Sequence, residues 1–490
     1  MSRVRRAVIF SSISQYGARI IGLVTMMIVA RLLSPDEVGT FSIASALVLM
    51  ISEFKMLGAG AYLIREKELN EEVIRRTLGL TIITSWALGG CVLAVGPTIS
   101  NYYDLPSLSS IFNILSIGFF IGPFVSICIA LLTREFNFKI ILISNLSSAL
   151  ASLLVTVSLI YLGLSYYSLA WGQVARLTIQ FGTLVIFARF ALYYQPRFSK
   201  LGVIARFGVY NSLANLFRNS VNVVPDIVIG KMGTTSQVGI FSRGIGLMDF
   251  VAGTVQKGAE PVVLPYLSEA QRSGKSMVDS YTRATVLATG FAWPVLAVAS
   301  VASLPVIRFF FGQQWDAAAP LASALAIWLI LRTTHNFANN LLITLGKERV
   351  MIFKEAGLLI AVFILVIVSY PLSLQAVANA FIIVGFLEIF LVTVLLVRLF
   401  GLNVGLFYKS LSSSLLIAAL CSFVAWLISM LVPFDQVQSW KPVLLISLIL
   451  PPIWLILLKC FGHPLYKELS SAIFSFVKSR PFFRFFRGRA

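Results

Sequence analysis

Stretches of about twenty predominantly apolar residues recur fourteen times along this chain, and that recurrence leaves few folds open. A helix needs roughly 20 such residues to cross the ~30 Å hydrocarbon core of a bilayer. Within that core every backbone N–H and C=O must be satisfied inside the protein, so only helices and closed barrels span it. A barrel would show segments of about ten residues with alternating polarity. The runs here are about twice as long and unbroken. With 58% hydrophobic and 12% charged residues, and a mean hydropathy of +0.89, the 490 residues read as an all-α polytopic membrane protein.

The windows cover 8–33, 38–59, 77–100, 108–133, 138–162 and 166–188, then 207–231, 237–262, 283–306, 317–345, 350–370 and 374–398, and finally 408–432 and 441–460. Fourteen transmembrane helices are therefore expected. They divide into an N-terminal lobe over 1–192, a cytoplasmic linker at 193–206, and a C-terminal lobe over 207–400. Two more helices fall within 401–462, and a basic cytoplasmic tail fills 463–490. The first window is too long for the apolar region of a signal peptide, carries Arg19, and lacks a small-residue cleavage site, so it is expected to remain as a helix. Every loop is short, which leaves no aqueous domain for catalysis.

A net charge of +19 raises the question of nucleic acid, and the distribution of that charge answers it. With a cytoplasmic N-terminus, 28 of the 39 basic residues fall in inside loops and the tail. Outside loops hold only Arg31, Lys231, Arg308 and Lys441. That asymmetry is the positive-inside signal of a multi-pass protein with both termini in the cytoplasm. The tail alternates Lys478, Arg480, Arg484, Arg487 and Arg489 with phenylalanines, as a segment lying on anionic membrane lipid or a plain topogenic tail would.

A shift of 200 residues overlays the first two windows on the seventh and eighth without a gap. Val38-Gly39-Thr40-Phe41-Ser42 meets Val238-Gly239-Ile240-Phe241-Ser242, Arg31 meets Lys231, and Gly58 meets Gly258. Six spans separate the copies, so both have the same orientation. That is a parallel repeat about an axis along the membrane normal, and two such six-helix lobes would enclose a central cavity.

Polar residues at membrane depth carry the functional signal. An ionised side chain at the bilayer centre costs about 2.5–3.5 kcal/mol even on lenient insertion scales, so it faces a bundle interior or a water-filled path. In the seventh window Asn211, Asn215, Arg218, Asn219, Asn222 and Asp226 follow steps of three and four, forming one stripe on a helix. Pro225 is expected to bend it. Gln15 and Arg19 mark the first window, and Gln173, Arg176 and Gln180 the sixth. The tenth carries Arg332, His335, Asn336, Asn339 and Asn340 at i, i+3, i+4, i+7 and i+8, and the eighth adds Arg243, Asp249, Lys257 and Glu260. Arginine stays charged and offers a planar fork of donors suited to phosphate, while amides suit sugar hydroxyls. Gln15, Arg19, Arg176, Asn215, Arg218, Asn222, Arg243, Arg332, Asn336 and Asn339 are the candidate substrate-binding residues. Asp226, Asp249 and Glu260 are candidates for ion coupling. Asp226 could also simply neutralise Arg218 or Arg243. Glu53 and Lys55 read as snorkelling to the cytoplasmic interface.

Nothing supports catalysis, a cofactor or a metal. Cys91, Cys128, Cys421 and Cys460 lie in apolar runs without ligand spacing, and His335 and His463 stand alone. No Walker A, GxSxG or HExxH motif occurs.

Several stretches resemble a known family. They are Ala30-Arg31-Leu32-Leu33-Ser34-Pro35-Asp36-Glu37-Val38-Gly39-Thr40-Phe41, Asp226 to Gly230 through Val238 to Ser242, Glu260-Pro261, and Phe311-Gly312-Gln313-Gln314-Trp315. Across roughly 5–400 the chain is similar to the polysaccharide transporter family of Wzx-type (WzxC-like) flippases in the MOP superfamily, which also holds MurJ-like lipid II flippases and MATE exporters. The resemblance implies a V-shaped, monomeric, two-lobe transporter. Its substrate would be an undecaprenyl-diphosphate type of lipid-linked oligosaccharide, flipped across a bacterial inner membrane for O-antigen, capsule or exopolysaccharide, with polymerase and export machinery as partners. A MATE-like cation exporter would want an acidic cavity where arginines predominate here. A membrane polymerase or ligase enzyme would want a large outside loop.

Overall fold

In a computed structural model the described residues form helices joined by short turns, with no strand among them. Those are all but 1–2, 56–58, 67, 189–194, 200, 435–439 and 480–490; the side chains of 3–8, 61, 65, 203–208, 210–211, 255–262, 264–265, 348 and 472–479 are also not described. Asn211, Lys257, Glu260 and the tail residues Lys478, Arg480, Arg484, Arg487 and Arg489 therefore lie outside the described side chains.

The first eight helices are α1 (Arg3–Leu32), α2 (Pro35–Ser52), α3 (Ala59–Arg65), α4 (Glu71–Tyr103), α5 (Ser107–Arg134), α6 (Phe138–Tyr161), α7 (Tyr167–Ala188) and α8 (Gly202–Met232). They are followed by α9 (Thr235–Arg272), α10 (Met277–Val301), α11 (Ser303–Phe311), α12 (Ala318–Thr333), α13 (Ala338–Thr344), α14 (Glu348–Ser369), α15 (Leu374–Phe400), α16 (Val404–Leu431), α17 (Trp440–Cys460) and α18 (Pro464–Ser479). Nine helices among the described residues are long and apolar enough to cross a membrane: α1, α4, α5, α6, α10 and α14 to α17. This is a multi-pass membrane protein. The helices outside that set include α7, α8, α9 and α12, which carry Arg176, Arg218, Arg243 and Arg332.

Local chemistry sets the helix ends. Ser34 caps α2 in a full capping box: its hydroxyl accepts from the Glu37 amide at 3.3 Å, and Glu37 Oε2 accepts from the Ser34 amide at 2.8 Å. Two hundred residues later, Thr234 and Gln237 repeat the box in neutral form, with reciprocal bonds of 3.1 and 3.3 Å. Burial alone would raise the Glu37 carboxyl. Hydrogen bonds from the Ser165 hydroxyl and from Ser34 outweigh it and hold the group below its ordinary value. Asn70, Ser276 and Asn403 cap α4, α10 and α16 in the same manner.

Three expected spans are interrupted. The 38–59 window stops at Ser52, where the Phe54 and Lys55 amides switch to i−3 bonds, and resumes as α3. The freed Lys55 carbonyl accepts from the Thr84 hydroxyl at 3.0 Å, as backbone at membrane depth requires. Glu53 and Lys55 do not snorkel. Glu53 accepts from Asn219 Nδ2 at 2.9 Å, and the Lys55 ammonium sits 5.7 Å from the Phe119 ring centre. The 283–306 window divides between α10 and α11, and the 317–345 window between α12 and α13.

The chain forms two compact units. One comprises 1–243, 310–315 and 348–374; the other comprises 244–309, 316–347 and 375–490. In the first, α4 packs on α5, α6 on α7 and on α1, and α8 on α14 and α2. In the second, α10 packs on α16 and α12, around Tyr281, Trp293, Phe337 and Phe407.

The second unit also fixes α18. His463, in the turn before α18, is buried, and Nδ1 accepts from the Leu465 amide at 3.1 Å. That bond assigns the ring hydrogen to Nε2, which faces Ser414 Oγ at 2.9 Å; Ser414 in turn meets Thr289 Oγ1 at 3.1 Å. Burial holds the His463 pKa below the ordinary histidine value. A base whose folded pKa is depressed contributes stability that is present above its unfolded pKa and lost as pH falls through the folded one. Acidification below about pH 6.5 is therefore expected to lower the amide protection factors over 465–471, that is, exchange corrected for the intrinsic pH dependence. His463→Gln should flatten that dependence, and protection unchanged down to about pH 5 would contradict the assignment.

Candidate functional site

The first unit gathers most of the arginine and amide positions. On α8, Arg218 Nη2 donates to Asn215 Oδ1 at 3.3 Å, one turn apart on the same face. Asn219 is committed to Glu53, so the stripe divides: part of it locks α8 to the end of α2, and part stays half-buried as Asn215, Arg218 and Asn222. Asp226 is 7% exposed, its Oδ1 has no hydrogen-bond partner, and it makes no ion pair with a described residue. Neither Arg218 nor Arg243 neutralises it within ion-pair distance. The helix runs unbroken through Pro225.

On α1, Ser14 is buried and accepts from Asn145 Nδ2 of α6 at 2.9 Å; beside it Gln15 is exposed and Arg19 half-buried. Asn145 Oδ1 accepts from Gln180 of α7 at 2.9 Å. A polar seam, Ser14–Asn145–Gln180, thus runs through this unit. Gln180 belongs to it, whereas Gln173 and Arg176 on the same helix are exposed. Nothing in the local sequence marked Asn145, because it stands singly in an apolar run.

Arg243 opens onto aromatic rings. Its guanidinium lies 5.9 Å from the Phe311 ring centre and 5.4 Å from that of Trp315, both reached by the Phe-Gly-Gln-Gln-Trp turn. Trp315 Nε1 donates to the Ala30 carbonyl at 2.7 Å, pinning that turn to the end of α1.

In the second unit the tenth-window stripe does not lie on one helix face. The break between Thr333 and Ala338 turns His335 inward, where it meets the Tyr281 hydroxyl at 2.8 Å and Thr393 Oγ1 at 3.0 Å, stacked on Phe407. Arg332 remains half-buried on α12, 5.1 Å from the Trp328 ring centre; Asn336 falls in the break and Asn339 on α13, both half-buried. Asp249 is half-buried on α9. The carboxylate of Glu260 is outside the description.

Half-buried arginine forks and amides, on helices packed through polar seams, can hydrogen-bond phosphate and hydroxyl oxygens. A family model described as polysaccharide biosynthesis protein matches residues 28–320. The chain belongs to this polysaccharide biosynthesis protein family. It is 21% identical over 393 residues to the teichuronic acid biosynthesis protein TuaB of Bacillus subtilis (strain 168), covering 78% of this chain and 80% of that one. It is 22% identical over 331 residues to the succinoglycan biosynthesis transport protein ExoT of Rhizobium meliloti (strain 1021), 66% of each. To the lipopolysaccharide biosynthesis protein WzxC of Escherichia coli (strain K12) it is 22% identical over 345 residues, 67% of each. Among solved structures the fold matches the lipid II flippase MurJ in an inward closed conformation, with a TM-score of 0.72 at 15% identity over 94% of this chain and 99% of that one. An inward-facing MATE transporter of the MOP superfamily matches with a TM-score of 0.55 at 14% identity, over 80% and 98%. The family thus uses the MurJ/MATE type of fold.

Proposed function

We propose that this protein is a flippase for a polyprenyl-diphosphate-linked oligosaccharide repeat unit, working by alternating access across a bacterial inner membrane. The observation that carries the reading is the half-buried Arg218–Asn215 pair on α8, in a chain of this family and fold. An arginine positioned by an amide, in a helix made otherwise for hydrocarbon, presents its fork to a diphosphate, and Asn222 along the same helix presents hydrogen bonds to sugars. Arg19 and Arg332 add positive charge near the middle of their own apolar windows. Fourteen crossings, two six-helix lobes and cytoplasmic termini complete the proposal, which rests on the positive-inside distribution. Asp226 is the acid within reach of a coupling proton or cation.

Deleting the protein from its host is expected to stop surface polymer and to leave the lipid-linked repeat unit on the cytoplasmic leaflet. Spheroplasts treated with a membrane-impermeant glycosidase or lectin check this. Normal polymer, or repeat units already facing outward, would overturn the reading.

A further inference from the structure

The 200-residue repeat meets itself physically. The first turns of α2 and of α9 cross within the first compact unit, and they do so through equivalent positions. Ser42 Oγ donates to Ser242 Oγ at 3.1 Å, a bond between residues 200 apart. Gly39 and Gly239, three residues before each serine, abut backbone to backbone. A Cβ built on Gly39 would overlap the Thr235 carbonyl oxygen and lie 2.8 Å from the Gly239 amide nitrogen. A Cβ on Gly239 would overlap the Pro35 carbonyl oxygen and lie 3.1 Å from the Gly39 nitrogen. The Thr235 hydroxyl also donates to Asp36. Both strands of the crossing are braced from outside: Glu37 accepts from Ser165, and Gln237 accepts from the Tyr370 hydroxyl at 2.8 Å.

We propose that this glycine-on-glycine crossing is the seal of the outer exit, closed in the state described and parted in each transport cycle. The proposal rests on the flippase reading and on the orientation that places the turns at 33–36 and 232–235 outside. Two features favour a seal over permanent packing. Its polar contacts among the described residues are few and short-ranged: one hydroxyl pair and one hydroxyl–carboxylate bond, beside backbone in direct contact. It also lies where the two copies of the repeat touch at like positions, so small opposite displacements of each copy separate it completely. The tight fit has a direct consequence. A single added side chain at either glycine cannot be accommodated by a rotamer change, because what it meets is backbone. It must part the crossing and shift the population toward the open state.

The test uses the full chain in native membranes, with its four cysteines replaced, and pairs opposite perturbations. Ser42→Cys with Ser242→Cys replaces a 3.1 Å hydroxyl contact with a pair of thiols placed to close a disulfide. Oxidation is expected to yield the cross-linked peptide by mass spectrometry and to stop surface polymer at least about tenfold, with recovery on adding reductant. Gly39→Leu and, separately, Gly239→Leu should each raise labelling of Asn222→Cys by an impermeant maleimide added outside, several-fold and to a similar extent. Failure to cross-link, full export by cross-linked protein, or unchanged labelling in both glycine variants would overturn the seal. Should a leucine variant fail to accumulate, Gly39→Ala and the near-isosteric cysteine pair decide. Labelling does not depend on the cargo. If deletion leaves the polymer normal while labelling still responds, the flippase reading fails and the seal stands.

Discussion

Arg218→Ala is expected to lower surface polymer roughly tenfold to a hundredfold at equal protein level, with the lipid-linked repeat unit accumulating on the cytoplasmic side. The magnitude follows from a hydrogen bond to a charged group, about 1.5–3 kcal/mol, at about 1.4 kcal/mol per factor of ten. Arg218 has no ion-pair partner among the described residues, and its bond to Asn215 is long at 3.3 Å. Removing it should therefore leave thermal stability in detergent nearly unchanged, which separates a cargo contact from a structural one. Arg218→Lys should recover part of the activity, since the charge remains but the planar fork does not. Asn215→Ala, which frees the guanidinium without removing it, should have a smaller effect of the same sign. Wild-type polymer from Arg218→Ala, or a large loss of stability with no transport defect in the surviving protein, would sink the assignment.

The largest effect on stability is expected at α14. Lys354 Nζ and Glu355 Oε1 are 2.7 Å apart with side chains 5% and 4% exposed, inside the unit where α14 packs against α8. Neighbouring residues on a helix diverge by about 100°, yet here both side chains are turned into contact and kept from water. Removing one partner takes this contact from a charge that the packing keeps buried. Lys354→Met or Glu355→Leu alone should each cost about 3–5 kcal/mol, while the double substitution should cost markedly less than the sum. Thermal unfolding in detergent, run as a double-mutant cycle, measures it. Additive losses would mean that the two charges do not compensate one another.

Much of the fold was legible because the bilayer restricts it. Without water, a run of twenty apolar residues has one stable conformation, so α4, α5, α6 and α14 to α17 overlie the hydropathy windows to within a few residues. The caps, which the hydropathy windows did not use, are equally local: Ser34-Pro35-Asp36-Glu37 and Thr234-Thr235-Ser236-Gln237 satisfy their own amides within four residues. The offset of 200 residues, weak as a sequence signal, reappears as the bond between Ser42 and Ser242.

The candidate site was less legible. Periodicity put Asn219 with Arg218 and Asn222, and His335 with Arg332 and Asn336. In the folded chain Asn219 serves Glu53, and His335 serves Tyr281 and Thr393. The i, i+3, i+4 rule assumes an uninterrupted helix, and the break after Thr333 removes that premise for His335; on the unbroken α8 the stripe persists, but Glu53, beyond the end of α2, takes Asn219 out of it. Such breaks are paid for by distant groups, the Thr84 hydroxyl for the Lys55 carbonyl among them, and no local window contains both partners.

By itself, then, the sequence determined that the chain is helical, that it crosses a membrane several times, and that two pairs of windows share a pattern 200 residues apart. The first two follow from hydrocarbon solvation and from bonds closed within a few residues. Only the tertiary structure decided which polar groups stay half-open and which are consumed as structure, because those pairings join residues from 29 to 285 positions apart. A buried donor is satisfied by whatever the fold brings to it, and that is a property of the packed molecule.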